Sequence, residues 1–355
     1  MRINKLFHVG AFCLLSVSMI AGVSKAQSGS AVSDAPFTVD FTKFAPYAPD
    51  SNEGDYLLNA PYANAPELTR RENVPHGMVY RFTLNSTDSK IYPGISKSAP
   101  GKVVPYTRNV TVYIPSQYVP GTPAPLIVSQ DSMGSGELPT ILDNMIADHR
   151  LPVMAAVMLN SGGGDSIGSE RGLEYDTVSG LYAEFIESEV LPKVSQDYNI
   201  TFTKDPKARM TMGGSSGAAC AFTMAWFHPE LYRRVLSYSG TYVNQQSPLN
   251  PESPHGAWEY HEHFIPKQKA KPLRIWMHVG ENDLRSKDVE STYHNWVMAN
   301  QRMAAVLKAK KYHYQYVFAR ASGHVDGRVV RQTLPQALEW VWKGYPIKKM
   351  KVAGK

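Results

Sequence analysis

Short apolar runs alternate with amphipathic segments along this chain from about residue 78 onward. Continuous apolar runs with β-branched residues are typical of strands buried on both faces, whereas apolar residues at i, i+3, i+4 and i+7 are typical of helices. The clearest helical pattern covers 177–198, where Pro192 is expected to bend or end the helix. Further helices are predicted at 137–148, 216–227, 291–310 and 334–343, and strands at Met78–Leu84, Val110–Ile114, Leu126–Gln130, Val153–Leu159, Ala208–Met212, Val235–Tyr238, Leu273–Val279 and Tyr314–Phe318.

The order of these elements, with strands first and strand–helix alternation afterwards, predicts the fold class. An α/β fold with a mostly parallel central sheet and helices on both faces accounts for this order. The chain has 355 residues, of which 43% are hydrophobic, and this is enough for one large core. We therefore predict that 76–346 form a single domain.

The first 26 residues have a composition of their own. They open with Arg2 and Lys5, continue with the mostly apolar stretch 7–23 and end with Ser24-Lys25-Ala26. This is the pattern of a cleavable signal peptide, with cleavage expected after Ala26. Because the apolar stretch is short and a processing site follows it, a retained membrane anchor is disfavoured. We expect a periplasmic or secreted protein without stable membrane insertion.

The segment 27–75 is rich in Pro, Ala, Asn and Asp and has neither a period of 2 nor a period of 3.6. We interpret it as an N-terminal arm or linker. It could pack on the body, cover a site or mediate dimer contacts, and these alternatives stay open at this stage. Residues 347–355 are predicted to be a basic C-terminal tail.

Charge and cysteine content narrow the range of partners. Removal of 1–26 takes away three basic residues and no acidic ones, which lowers the formal net charge from +6 to about +3. This mild charge, without a long basic run, disfavours nucleic acid as a partner. Processing also removes Cys13, so the mature chain keeps Cys220 alone and cannot form an intrachain disulfide. Cys220 is interpreted as a packing residue, and the oligomeric state is left open.

A Gly-x-Ser-x-Gly sequence lies between a predicted strand and a predicted helix. Gly213 and Gly217 flank Ser215 at two positions on either side. A nucleophile on a sharp strand-to-helix turn needs such flanking glycines, because Cβ atoms there would collide. We therefore predict that Ser215 is the nucleophile. A relaxed form of the pattern centred on Ser216 is a less favoured alternative.

A serine hydroxyl needs a base to take its proton, and the base needs an acid to orient it. In sheets of this kind the order along the chain is Ser, acid, His, each in a loop after a strand. Asp283 follows the strand Leu273–Val279, and His324 follows the strand Tyr314–Phe318. We predict His324 as the general base and Asp283 as its orienting acid, with competing acids in the same loop at Glu281, Asp288 and Glu290.

The negative oxygen formed during acyl transfer needs backbone N–H donors. The N–H of Ser216, at the start of the predicted helix 216–227, is one expected donor. The other is expected from Ser132 or Met133, because they follow the strand Leu126–Gln130; an ordinary turn is the alternative.

Residues beside this site are predicted to bind substrate. Arg171, Glu174 and Trp296 are the candidates, although an intramolecular ion pair would equally explain Arg171 and Glu174. Trp258 and Tyr260 could join Trp296 in an aromatic cleft or could pack in the core.

Two other patterns are rejected as ligand sites. His261-Glu262-His263 has alternate spacing and lacks a third ligand, so we interpret it as surface rather than as a metal centre. The glycine-rich stretch 161–165 lacks Gly-Lys-Ser/Thr and is not a phosphate loop. We interpret it as a loop that borders the site.

Four stretches resemble one known family of α/β-hydrolases. They are 213–229 around Ser215, 171–176, 295–300 and 323–340. They are similar to the esterase family that contains enterochelin-esterase-like secreted proteins, and the resemblance covers about 66–345. It implies that 76–346 form an α/β-hydrolase catalytic domain with a triad at Ser215, Asp283 and His324. This chain departs from the family at Asp131-Ser132, where Asp-Gly is common, and at Gln245-Gln246, where an Arg-Gly-Gly-like loop is common.

Relatives in the wider superfamily include feruloyl and acetyl-xylan esterases, esterase D and mycolyltransferases. The resemblance therefore implies a serine carboxylic-ester hydrolase that acts through an acyl-enzyme, without a cofactor or metal. The expected substrate is a small-molecule or glycan ester, such as a siderophore lactone or a sugar or aryl ester. An acyltransferase with the same triad, a catalytically silent binding protein and a peptidase are the alternatives, since a fold does not fix a function.

Overall fold

The computed structural model describes residues 34–94, 102–162 and 169–347. Ten of its strands form one sheet in the order β1-β2-β12-β11-β10-β9-β6-β7-β4-β3, and β5 pairs with β8 separately. Every neighbouring pair in the large sheet is parallel except those made by β4, which runs against β3 and β7. The strands are β1 Ala45–Pro46, β2 Gly54–Leu58, β3 Met78–Asn85, β4 Thr107–Ile114, β5 Pro123–Ala124, β6 Leu126–Gln130, β7 Ala155–Leu159, β8 Thr201–Phe202, β9 Arg209–Gly214, β10 Arg234–Tyr238, β11 Arg274–Gly280 and β12 His313–Ala319.

Helices cover both faces of the sheet, and each face has its own apolar core. The helical segment 181–198 packs on one face with the helices 216–227 and 296–309, while the helices 138–147 and 327–342 pack on the other. The central strands β6 and β7 are buried at every position, as their continuous apolar runs predict. The predicted α/β class is confirmed. The helices are named α1 Leu138–Ala147, α2 181–198, α3 Ser216–Phe227, α4 Trp296–Ala309 and α5 Gly327–Trp342.

All eight predicted strands lie in the sheet. Three of the five predicted helices begin several residues away from the start that the structure shows. The helix predicted from 177 begins at Leu181 and passes Pro192 to end at Tyr198, because a π-helical turn, Ile186–Val190, precedes the proline. Helix α4 starts later than predicted, since the Asn295 side chain accepts from the Met298 N–H and caps it. Helix α5 starts earlier than predicted, capped by Asp326.

The part of the N-terminal segment that the structure describes packs along the body. Strand β2 adds to the edge of the sheet, parallel to β12, with Tyr56 opposite Val317. This strand was not among the predicted ones. Within the described residues, no helix has both the length and the apolar character needed to span a bilayer. The predicted signal peptide lies outside the described residues, as does the predicted basic tail beyond residue 347.

Candidate active site

Strand β9 and helix α3 meet in a sharp turn at Ser215. Ser215 has φ +57°, in the left-handed region that is uncommon for residues other than glycine. A Cβ on Gly213 would lie 2.4 Å from the carbonyl carbon of Gly217, so the turn admits only glycine at position 213. The close approach of the strand and the helix explains the Gly-x-Ser-x-Gly sequence physically.

Three predicted residues meet in one hydrogen-bonded chain at the carboxyl edge of the sheet. His324 Nε2 lies 2.8 Å from Ser215 Oγ. His324 Nδ1 lies 2.6 Å from Asp283 Oδ1. Strands β11 and β12 are parallel neighbours, so the loops that follow them, which carry Asp283 and His324, emerge side by side. The structure therefore brings Ser215, His324 and Asp283 into the order needed for proton transfer.

Asp283 is the acidic side chain of its loop that contacts the imidazole. It is 3% exposed. Burial raises its pKa, but hydrogen bonds from His324 and Ser239, together with the charge of the imidazole, outweigh burial and hold this pKa below the usual value for Asp. The three competing acids form ion pairs instead, Glu281 with Arg320, Asp288 with Arg285 and Glu290 with Arg302.

Ser216 has a different environment from Ser215. Its side chain is fully buried, and its Oγ accepts from Gln245 Nε2 at 3.2 Å. As the first residue of α3, Ser216 carries an N–H that has no intrahelical acceptor. That N–H is adjacent to the Ser215 hydroxyl along the chain. The geometry thus separates a reactive hydroxyl on Ser215 from a backbone donor on Ser216.

The loop after β6 reaches the site, but its N–H groups are engaged. The Ser132 N–H donates to the Leu159 carbonyl at 3.1 Å, and the Met133 N–H donates to the Gln130 carbonyl at 3.1 Å. In this conformation neither N–H is available to a reacting oxygen. Ser132 and Met133 instead lie in an ordinary turn, which was the alternative to an oxyanion donor. The Met133 sulfur lies 3.7 Å from where a Cβ on Gly214 would stand, so its side chain borders the elbow.

Arg171 and Glu174 both form intramolecular ion pairs, with different partners. The Arg171 guanidinium binds Asp131 through Nε at 3.2 Å and Nη2 at 2.6 Å. Both side chains of this pair are about 30% exposed, and Asp131 Oδ2 lies 3.1 Å from where a Cβ on Gly217 would stand. This pair is therefore next to the elbow, where Arg171 could reach a ligand.

Glu174 is a buried residue whose carboxylate is bonded within the protein. It is 2% exposed, and it binds the Arg108 guanidinium through both oxygens at 2.8 and 2.7 Å. The Tyr106 hydroxyl donates to the same carboxylate at 2.8 Å. The prediction of a substrate contact is thus not supported for Glu174, because its hydrogen-bonding capacity is used within the protein.

The predicted aromatic cleft consists of packed residues. Trp296 is 4% exposed, and its ring meets the His324 ring edge-on with centroids 6.1 Å apart. It supports the imidazole rather than lining an open cleft. Trp258 and Tyr260 are fully buried in the core, as the packing alternative required.

Thr241 is a site residue that the sequence reasoning missed. Its Oγ1 lies 3.4 Å from Ser215 Oγ and accepts from Trp296 Nε1 at 3.3 Å. The available signal was its position, since Thr241 follows β10, the strand next to β9, at the same edge of the sheet.

His261 and His263 have different surroundings in the fold. His261 is buried, and burial lowers its pKa to about 3, while His263 Nδ1 contacts Glu259. Among the described residues, no three or more side chains of His, Cys, Asp or Glu are grouped so that they could hold a metal ion.

A polar groove of about 510 Å³ is lined by residues that follow β6 and β7 and by residues from the middle of β4 and β3. Its lining includes seven polar side chains that form no hydrogen bond or ion pair within the part of the chain that the structure describes. These side chains are Arg81, Thr83, Asn109, Thr111, Ser132, Ser135 and Asn160.

Comparison with known proteins places this fold and site in a family. The profile of a family described as "Putative esterase" matches residues 102–341, which is more than half of the chain. The protein therefore belongs to this esterase family and has the α/β-hydrolase fold. No curated protein sequence matches the chain.

Solved structures of esterases share the fold. The enterobactin esterase from Shigella flexneri aligns with a TM-score of 0.54 and 20% identity over 80% of this chain and 63% of that chain. The CE1 ferulic acid esterase from Anaeromyces mucronatus aligns with a TM-score of 0.55 and 13% identity over 79% of this chain and 96% of that chain. This chain thus spans less than two thirds of the length of the enterobactin esterase, and identities this low establish the fold alone.

Proposed function

We propose that this protein hydrolyses carboxylic esters, with Ser215 as nucleophile, His324 as general base and acid, and Asp283 as the orienting acid. The observation that carries this proposal is the continuous chain from Ser215 Oγ through His324 to Asp283, with distances of 2.8 and 2.6 Å. The buried Asp283 carboxylate holds Nδ1 protonated and so leaves Nε2 as the acceptor for the serine proton.

The proposed reaction has two halves. Ser215 Oγ attacks the ester carbonyl carbon while its proton moves to His324 Nε2, and the negative oxygen forms beside the Ser216 N–H at the start of α3. The carbon–oxygen bond to the alcohol then breaks, and His324 returns the proton to the departing alcohol. Water attacks the acyl-enzyme in the second half and loses a proton to His324 Nε2; the bond between the acyl carbon and Ser215 Oγ then breaks, His324 returns the proton to Ser215 Oγ, and the free acid leaves.

The polar groove favours an ester with several hydroxyl groups, such as a sugar ester, over a purely apolar one. Side chains without internal partners can exchange bound water for ligand hydroxyls. Arg81 adds an exposed cation to the lining of the groove. Lactone and aryl esters, which the family resemblance implies, are the other candidates, and two similar structures are named as esterases of enterobactin and of ferulic acid.

The test compares the purified protein with Ser215→Ala and His324→Ala on p-nitrophenyl acetate, butyrate and ferulate, and on acetylated xylose. We expect each variant to lose at least a thousandfold in kcat, while the wild type prefers the acetylated sugar. Product analysis with added xylose identifies transfer to an alcohol in place of hydrolysis. Full activity of Ser215→Ala, or no activity of the wild type on every ester together with no labelling by a fluorophosphonate, would overturn the proposal.

We also propose export to the periplasm or medium with cleavage after Ala26. The support is the basic, apolar and small-residue order of 1–26. Mass spectrometry of the exported protein should give a chain that begins at Gln27. An intact N-terminus in the exported fraction contradicts this cleavage site.

A further inference from the structure

A buried carboxyl group lies behind the nucleophile turn and takes no part in the reaction described above. Asp176 is 5% exposed and ends the helical turn Gly172–Asp176. Its Oδ2 accepts from Gln245 Nε2 at 3.1 Å, and the same Nε2 also donates to Ser216 Oγ at 3.2 Å. Side chains from three separate segments therefore meet at the residue whose N–H faces the developing oxyanion.

The environment of Asp176 is costly for a carboxyl group. Its Oδ1 is buried and has no hydrogen-bond partner among the described residues. Burial raises the pKa of Asp176 to about 6, although hydrogen bonds from Ser216 and Gln245 and the charge of Arg171 act in the opposite direction. A buried, incompletely bonded carboxyl group destabilises the fold. Such a cost next to reacting atoms is typical of a functional position.

The peptide between Ser215 and Ser216 is held at its carbonyl oxygen, which accepts from the N–H groups of Ala218, Ala219 and Thr241. The Ser216 N–H belongs to the first turn of α3, where N–H groups have no intrahelical acceptor. The preceding residue holds a left-handed φ of +57°. On the Ser216 side of the peptide, the hydrogen bond from Gln245 Nε2 to Ser216 Oγ adds a side-chain restraint to those on the carbonyl. An oxyanion donor stabilises the transition state when its N–H points accurately at the negative oxygen. Contacts that orient this N–H therefore affect kcat.

We propose that Asp176 is a positioning residue for the oxyanion site. Its carboxyl group holds the Gln245 amide, which bonds the Ser216 hydroxyl and so helps to direct the Ser216 N–H at the developing negative oxygen. Asp176 itself touches neither substrate nor the reacting atoms. This inference rests on the proposed function, because it assigns a role to the Ser216 N–H in ester hydrolysis.

The experiment measures kcat and KM for Asp176→Ala, Asp176→Asn and Gln245→Ala on the best ester of the panel. We expect Asp176→Ala to lose about 10- to 100-fold in kcat, less than the loss of a whole oxyanion donor, with KM within about twofold. Asp176→Asn should stay within about threefold of wild type, because its amide oxygen can still accept from Gln245 Nε2. The inhibition constant of a trifluoromethyl ketone, which forms a tetrahedral adduct with an oxyanion, should rise in parallel with the loss of kcat.

Asp143→Ala is the matched control for Asp176→Ala. Asp143 has the same 5% exposure, but it lies in α1 on the other face of the sheet, bonded to the Tyr113 hydroxyl and the Gly77 N–H. We expect this variant to lose stability and to keep its kcat. If Asp176 had only a structural role, Asp176→Ala would likewise lose stability and keep its kcat.

Several outcomes overturn the inference. One is a folded Asp176→Ala whose kcat and inhibition constant stay within threefold of wild type. If Asp176→Ala does not fold, Gln245→Ala decides, because Gln245 is exposed; we expect a 3- to 10-fold lower kcat, and an unchanged kcat overturns the proposal. Failure of the proposed function is recognised separately, by activity that survives in Ser215→Ala.

Discussion

Thr241 contacts both Ser215 and Trp296, the residue that packs against the His324 imidazole. Its N–H donates to the Ser215 carbonyl at 3.1 Å, and its hydroxyl lies between Ser215 Oγ and the Trp296 indole. The Trp296 ring in turn packs edge-on against His324. One small side chain thus restrains both ends of the Ser215–His324 hydrogen bond.

Replacing Thr241 by Val should destabilise the protein. The isosteric change removes the acceptor of the buried Trp296 N–H, and an unsatisfied buried donor costs roughly 1–3 kcal/mol. Urea unfolding measures the loss, and Thr241→Ser is the control because it keeps the hydroxyl. If Val costs no more stability than Ser, the hydrogen bond to Trp296 contributes nothing. We expect kcat to change by less than tenfold, since His324 Nε2 keeps its contact with Ser215.

At the scale of single residues, the sequence predicted those site residues that follow a known order along the chain, Ser, then acid, then His. Ser215, Asp283 and His324 each follow a strand of the parallel sheet, and parallel strands bring their carboxyl ends to one edge. Thr241 and Asp176 have no such signature, because a threonine after a strand and an aspartate in a helical turn are common. Their roles depend on contacts with Ser215 and Ser216 that exist only in the folded chain.

At the scale of elements, the N-terminal segment extends the sheet beyond the predicted domain. Strand β2 covers the edge of β12, and the rings of Phe41 and Phe44 pack on Phe318 with centroids 5.4 and 5.8 Å apart. Sequence periodicity could not reveal β2, since five residues between prolines and polar residues contain too few apolar positions. The covered edge also removes a site of strand-to-strand aggregation.

Phe44→Ala tests whether this segment contributes to the stability of the body. Phe44 is half-buried, so we expect a loss of roughly 1–3 kcal/mol in the free energy of unfolding, below the usual cost for a fully buried Phe. The control is Phe227→Ala, because Phe227 is 41% exposed at the end of α3. Chemical denaturation measures both variants. Equal effects of the two substitutions would mean that the segment rests on the body without stabilising it.

At the scale of the whole molecule, the two apolar cores enclose histidines as well as hydrophobic residues. His278 lies in β11, is fully buried and stacks with Trp276 at a centroid distance of 6.5 Å. Neither of its ring nitrogens has a hydrogen-bond partner among the described residues. Burial lowers its pKa from 6.5 to about 4, so the folded protein holds this imidazole neutral.

His278 should make the protein less stable in mild acid. Between pH 6.5 and about 4 the unfolded chain binds a proton at this histidine and the folded protein does not, so stability falls as the pH falls. A difference of one proton corresponds to about 1.4 kcal/mol per pH unit. In His278→Phe, which has no titrating group at this position, the decline in unfolding free energy from pH 6 to pH 4.5 should be shallower by up to that amount.

Urea unfolding at a series of pH values measures this slope. His149→Asn is the control, because His149 lies exposed in the turn that follows α1. The control should keep the slope of the wild type. The absolute stability of His278→Phe at pH 7.5 depends on how well the ring fits between Trp276 and Tyr238, so the test uses the slope alone. A slope in His278→Phe equal to that of the wild type would show that the acid sensitivity arises elsewhere, with His261 as the next buried imidazole to replace, since burial lowers its pKa to about 3.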